Sequence, residues 1–180
     1  MMLTSTASPA TRSPMSRMHA AGSVPRGACP PVQADAWRSQ ALRESAAESA
    51  LRLASDALER DLGLVTAAQT ALAPVSPGTT ELALLEDAIL QLEQAREDLS
   101  DAKARLWHDR APTEARRHVE MALQRHDQAR YATQMAQDMM ASQPGHTPAE
   151  RQVQNLLLLL GVTTVVTEDR LKKTMEALQQ

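Results

Sequence analysis

The chain contains no phenylalanine, and its aromatic residues are only Trp37, Trp107 and Tyr131. Any core must be built from leucine, valine, methionine and alanine, which bring helices close together but bury less area per residue than aromatic side chains. Modest stability of the lone chain is the expectation, and assembly is favoured. Cysteine is also nearly absent: Cys29 stands alone, which excludes an internal disulfide framework and a zinc site built on paired thiolates. Glycine is scarce, with six residues among 180, and neither a Walker A loop nor a Gly-x-Gly-x-x-Gly turn is present to cradle phosphate. Positive charge is not in excess either, since 19 Lys and Arg stand against 22 Asp and Glu, a net charge of −3. The general electrostatic attraction for nucleic acid is therefore missing. No Gly-x-Ser-x-Gly elbow and no inward Glu-x-x-His pair of a di-iron bundle occurs. The chain reads as a non-enzymatic protein with no cofactor and no metal.

The most apolar stretch is the uncharged run from Gln152 to Thr167, which contains five consecutive leucines, Leu156 to Leu160. Just upstream, Thr147-Pro148-Ala149-Glu150 places an N-cap threonine, a proline at the first helical position and a glutamate at the third. This is a capping box, and it predicts a helix from about Pro148. At 100° per residue, Val153, Leu157, Leu160, Thr164, Leu171, Met175 and Leu178 fall in one sector of roughly 60°, the expected core stripe. Leu158, Leu159, Val162, Val165 and Val166 fall on the opposite side, in a sector of roughly 120°.

That second face is surplus to one core. A membrane span requires about 20 apolar residues, but polar Gln152, Gln154 and Asn155 precede this run and Glu168-Asp169-Arg170 closes it, so no span is expected. Left in water, the five side chains would forgo roughly 7–15 kcal/mol of burial as an upper estimate. Two coverings are open: other helices of the same chain, with this helix central in a bundle, or an oligomer or partner interface. Gly161 and the β-branched residues after it predict a kink, or a helix end with Thr167 capping a further helix.

Ahead of this helix the sequence predicts three more. Asp35 is placed as the N-cap of the first, with Trp37, Leu51, Ala54, Leu58, Leu62, Val65 and Leu72 as its stripe and Pro74 as its stop. The second starts near Thr79 or Thr80 and runs to about His108. Leu85, Leu92, Leu99 and Leu106 recur every seven residues, with Ala88, Ala95 and Ala102 three positions after the first three, a coiled-coil-like seam at short interaxial distance. Glu86, Asp87, Glu93, Glu97, Asp98 and Asp101 read as its solvated face. The third follows Pro112, at a reversal or a kink, with Ala115, Val119, Ala122, Ala129, Ala136 and Met140 in line. Four segments of similar length joined by short turns predict an all-α, antiparallel four-helix bundle over residues 35–180.

On the third helix, His126 lies on the apolar stripe and reads as a satisfied core histidine, while Glu114 and His118, four apart, read as a surface pair. Met135, Met139 and Met140 cluster at its end, as gap-fillers in an alanine-rich core or as an adaptable contact surface for a partner helix. The interface expected from the sequence is thus Leu158, Leu159, Val162, Val165 and Val166 with Met135, Met139 and Met140, for a protein partner or self-association.

Residues 1–34 have a different texture: no acidic residue, three arginines (Arg12, Arg17, Arg26), and stretches such as Thr4-Ser5-Thr6-Ala7-Ser8-Pro9. Such a segment cannot build a core and is expected to be a disordered tail, and it lacks the apolar h-region of a Sec signal. Its composition resembles the unstructured Ser/Thr/Pro-rich N-terminus of bacterial type III secretion substrates. That resemblance implies a type III secretion-associated regulator, effector or accessory component, held in the bacterial cytoplasm or exported by a non-Sec route. An acid-free, Arg- and Ser-bearing start is also what a mitochondrial transit peptide looks like, and the alternative is a helical structural protein of the matrix.

Overall fold

The computed structural model describes residues 31–142 and 147–179, with side chains from residue 37 onward; the expected disordered tail lies, apart from its last few residues, outside the described residues. Four helices follow in order: α1 Pro31–Leu72, α2 Thr80–Trp107, α3 Pro112–Ala141 and α4 Pro148–Ala177. They form an all-α antiparallel bundle in which each helix packs on its neighbours in sequence and α4 returns to α1. The closest pairs are α2 with α3 and α1 with α4, leaving α1 diagonal to α3. No strand occurs among the described residues.

Alanine explains the close pairs. Leu85, Ala88, Leu92, Ala95, Leu99 and Ala102 are all buried, and α3 meets them with Ala115, Val119, Ala122, Ala129 and Ala136. Small side chains on both surfaces let the backbones approach, while each buried leucine contributes roughly 1.5–3 kcal/mol of transfer free energy. One member of the expected acidic face departs from it. Asp98 is only 7% exposed, because it stands at the edge of the seam and accepts a 2.7 Å hydrogen bond from Nε of Arg125 on α3.

A polar clasp crosses each of the four seams. Arg96 pairs with Glu59 between α2 and α1, Arg125 with Asp98 between α3 and α2, and Arg130 with Glu168 between α3 and α4. Between α4 and α1, Nη1 of Arg170 donates to the carbonyl of Leu53 at 2.9 Å. His118 turns to Asp101 on α2, at 4.0 Å, and Glu114 to Arg105. The expected Glu114–His118 pair gives way to contacts across the α2–α3 seam.

Local signals set the helix ends. Thr79 caps α2, accepting from the amide of Leu82, after a turn in which Gly78 takes the left-handed φ of 72°. The capping box of α4 forms as read: Thr147 accepts from the amide of Glu150 at 3.2 Å, and the Glu150 carboxylate accepts from the amide of Thr147 at 2.7 Å. Pro112 marks a reversal, closed where the amide of Ala111 donates to the carbonyl of Arg105, with Arg110 at φ 49°. No break occurs at Gly161, and α4 is a single helix because its buried stripe is continuous through Leu160, Thr164 and Thr167.

The first helix differs from expectation at its start. It begins at Pro31, so Asp35 lies inside it instead of capping it. Proline at the first turn is preorganised for a helix, and Val32-Gln33-Ala34 contains no breaker. At 42 residues α1 outruns the other helices, of 28 to 30 residues. Ala47 is the first residue of its stripe to be buried, and it shares the bundle end with Trp107, Pro112 and Leu178, around a cavity of about 690 Å³. Gln40, Arg43 and Glu44 still line that cavity, and the nine residues of α1 before Gln40 extend roughly 14 Å beyond that end. Trp37, expected in the stripe, is therefore 69% exposed, with no helix opposite it among the described residues.

Candidate interaction surface

The core stripe of α4 is buried as expected, from Val153 through Leu157, Leu160, Thr164 and Leu171 to Leu178. Its second face is not covered by the other helices among the described residues. Leu158, Leu159, Val162, Val165 and Val166 are all exposed, Val162 most of all at 66%. A central position for α4 is thereby overturned. A four-helix bundle offers each helix one buried side, and α4 sits at a corner between α1 and α3.

The surface extends onto α3. Tyr131, 68% exposed, lines a shallow groove with Gly161 and Val165, and Met135 lies one turn further along at 38% exposure. The three methionines expected to act together are divided by the helix: Met135 faces outward, Met139 is half-buried, and Met140 is 3% exposed in the core. Tyr131 has no place in the sequence reading. Its signal was available, since it is the one aromatic residue of its helix and falls outside the Ala115-to-Met140 stripe.

The α4 face itself carries no charge from Leu158 to Val166, while Asp127 and Arg130 edge the groove beside Tyr131 and further charges gather at the C-terminal end. Lys173 pairs with Asp169 at 2.6 Å and Lys172 with Glu168 at 2.5 Å. The hydrogen bond from Lys172 holds the Glu168 carboxyl below its ordinary range, assisted by the charges of Lys172 and Arg130, and the same bond raises the Lys172 ammonium. Gly161 lies exposed beside Val162, and a Cβ added there would meet nothing within 4 Å. Nothing in the bundle requires glycine at that position.

A second unusual feature lies inside. Asp61 of α1, His126 of α3 and Thr167 of α4 meet in the core with no exposed surface. Thr167 Oγ1 donates to Asp61 Oδ2 at 2.6 Å, and His126 Nε2 stands 3.5 Å from the same oxygen. His126 is a core residue as expected, but neither ring nitrogen has a hydrogen-bond partner, and Asp61 Oδ1 has none. Asp61 was legible as the polar member of the Ala54, Leu58, Val65, Leu72 stripe. The cluster has no opening to solvent, and among the described residues no group of His, Cys, Asp and Glu could hold a metal ion.

No helix among the described residues is long and apolar enough to cross a membrane. Comparison of the chain with protein-family models, curated proteins and solved structures finds no match.

Proposed function

We propose that this is a non-enzymatic interaction protein that docks a protein partner through the apolar face of α4 and the adjoining edge of α3. The observation that carries this reading is the exposed set Leu158, Leu159, Val162, Val165 and Val166, joined at the groove by Tyr131. Contiguous exposed apolar surface with a polar rim is the mark of a binding site on a folded chain. Because the face adds nothing to the core, changing Leu159, Val162 and Val166 together to serine is expected to abolish partner capture while leaving helical circular dichroism intact. Unfolding of the triple variant would assign the face to the core and end the reading.

In its finer form the proposal is a type III secretion-associated regulator, effector or accessory component. Support comes from the acid-free, Ser-, Thr- and Pro-rich residues 1–34 ahead of a charged, aromatic-poor helical body. A reporter fused behind residues 1–34 is expected to leave cells with a working type III apparatus and to stay inside cells lacking it. Equal retention in both strains would refute the secretion link.

A further inference from the structure

The exposed face of α4 has an internal symmetry that points to its occupant. Val162 stands at the middle, with Leu158 and Leu159 four and three residues before it and Val165 and Val166 three and four after it. Leu158 and Val165 lie toward α3, where Val165 shares a groove with Tyr131. Leu159 and Val166 lie toward α1, the side on which Arg170 reaches Leu53. A two-fold axis passing beside Val162, perpendicular to the helix and in the plane of contact, reverses the helix and keeps each side on its own side. It sets Leu158 against the second copy's Val165, Leu159 against the second copy's Val166, and Val162 against itself. A patch that is its own mate under a two-fold rotation is the requirement for an isologous dimer.

We propose that the face docks a second copy of this chain, with two α4 helices packed antiparallel about Val162. This rests on the docking reading of the same surface and names its partner. With ordinary side-chain areas, the five Leu and Val residues together with Tyr131 and Met135 leave roughly 600–700 Å² of apolar surface in water. That is near the ~800 Å² per partner of a standard specific interface, and at or above the largest patch of a typical monomer. At the ends of the patch, Arg151 of one copy stands level with the Lys173–Asp169 pair of the other. Tyr131 overhangs the second copy's Leu158.

Sedimentation equilibrium on the full chain tests this. Wild type at about 100 μM is expected to run at twice the chain mass, and the Leu159→Ser, Val162→Ser, Val166→Ser variant at the chain mass with unchanged helical signal. A second measurement does not depend on that variant folding. In a Cys29→Ser background, Val162→Cys places two thiols across the axis and is expected to give a covalent dimer on mild oxidation. Leu90→Cys, exposed on α2, is expected to give none. A wild type at the chain mass, or cross-linking at Val162 no better than at Leu90, overturns the two-fold dimer. The broader docking reading fails by a different result: a foreign protein captured equally by wild type and the serine variant.

Discussion

Asp61 and His126 face each other across the diagonal of the bundle, 3.5 Å apart, at a level where both side chains are fully buried. They are the point at which α1 and α3, otherwise separated by the width of the core, are joined. Among the described residues the only hydrogen bond to the pair comes from Thr167, which also reaches the carbonyl of Thr163 at 3.2 Å on its own helix. Removing His126 opens a cavity and leaves Asp61 buried with Thr167 as its one hydrogen-bond partner, whereas replacing both with apolar groups leaves Thr167 satisfied by its own helix. His126→Ala is therefore expected to lose about 2–5 kcal/mol, and the double variant Asp61→Leu, His126→Leu to be as stable as wild type or more so. Urea unfolding of the three proteins checks this, and a double variant weaker than the single one would sink it.

Acid should loosen the Glu168 contacts on α4. The folded-state pKa of Glu168 lies below its unfolded value because Lys172 and Arg130 favour the carboxylate. Its contribution to stability is therefore present above the ordinary glutamate range, near pH 4.3 for the unfolded chain, and is lost as pH falls through the lower folded value. Glu168→Gln is expected to melt below wild type near neutral pH and to converge with it in acid. Parallel thermal melts over that range give the comparison; a gap that widened in acid would reverse the sign.

Gly63 sits exposed in the middle of α1, with nothing within 4 Å of an added Cβ. Gly63→Ala is expected to stabilise the fold by about 0.5–1 kcal/mol, through helix propensity and a less flexible unfolded chain. Denaturant midpoints report it, and a loss of stability would mean that the site is covered in solution.

The capping box gives a loss of similar size. Thr147→Ala removes the acceptor for the Glu150 amide and is expected to cost about 1 kcal/mol. Amide exchange should quicken most in the first turn of α4, and uniform quickening along the helix would point elsewhere.

Much of the fold was legible because it depends on local repetition. The seven-residue spacing of Leu85, Leu92 and Leu99 and the Thr147–Glu150 box are properties of adjacent turns, so the sequence carries them directly. Asp98 was misplaced because its burial depends on Arg125 of the next helix. Trp37 was misplaced because a periodic stripe records which side faces inward but not how far the neighbouring helices extend. The apolar face of α4 was legible as residues, from Leu158 to Val166. Its bareness was not, since that depends on where α4 sits among the other three helices.

The closeness of α1 and α4 also governs how the bundle forms. The Asp61–Thr167 hydrogen bond joins residues 106 apart in sequence, whereas α2 and α3 are joined by a tight turn. Closing the larger loop carries the larger entropy cost, and non-local pairings slow folding. The α2–α3 hairpin is thus the natural nucleus, with the first and last helices meeting on it late. Substitutions at the α1–α4 seam are expected to register chiefly in the unfolding rate, and those at Leu92 or Ala95 in the folding rate.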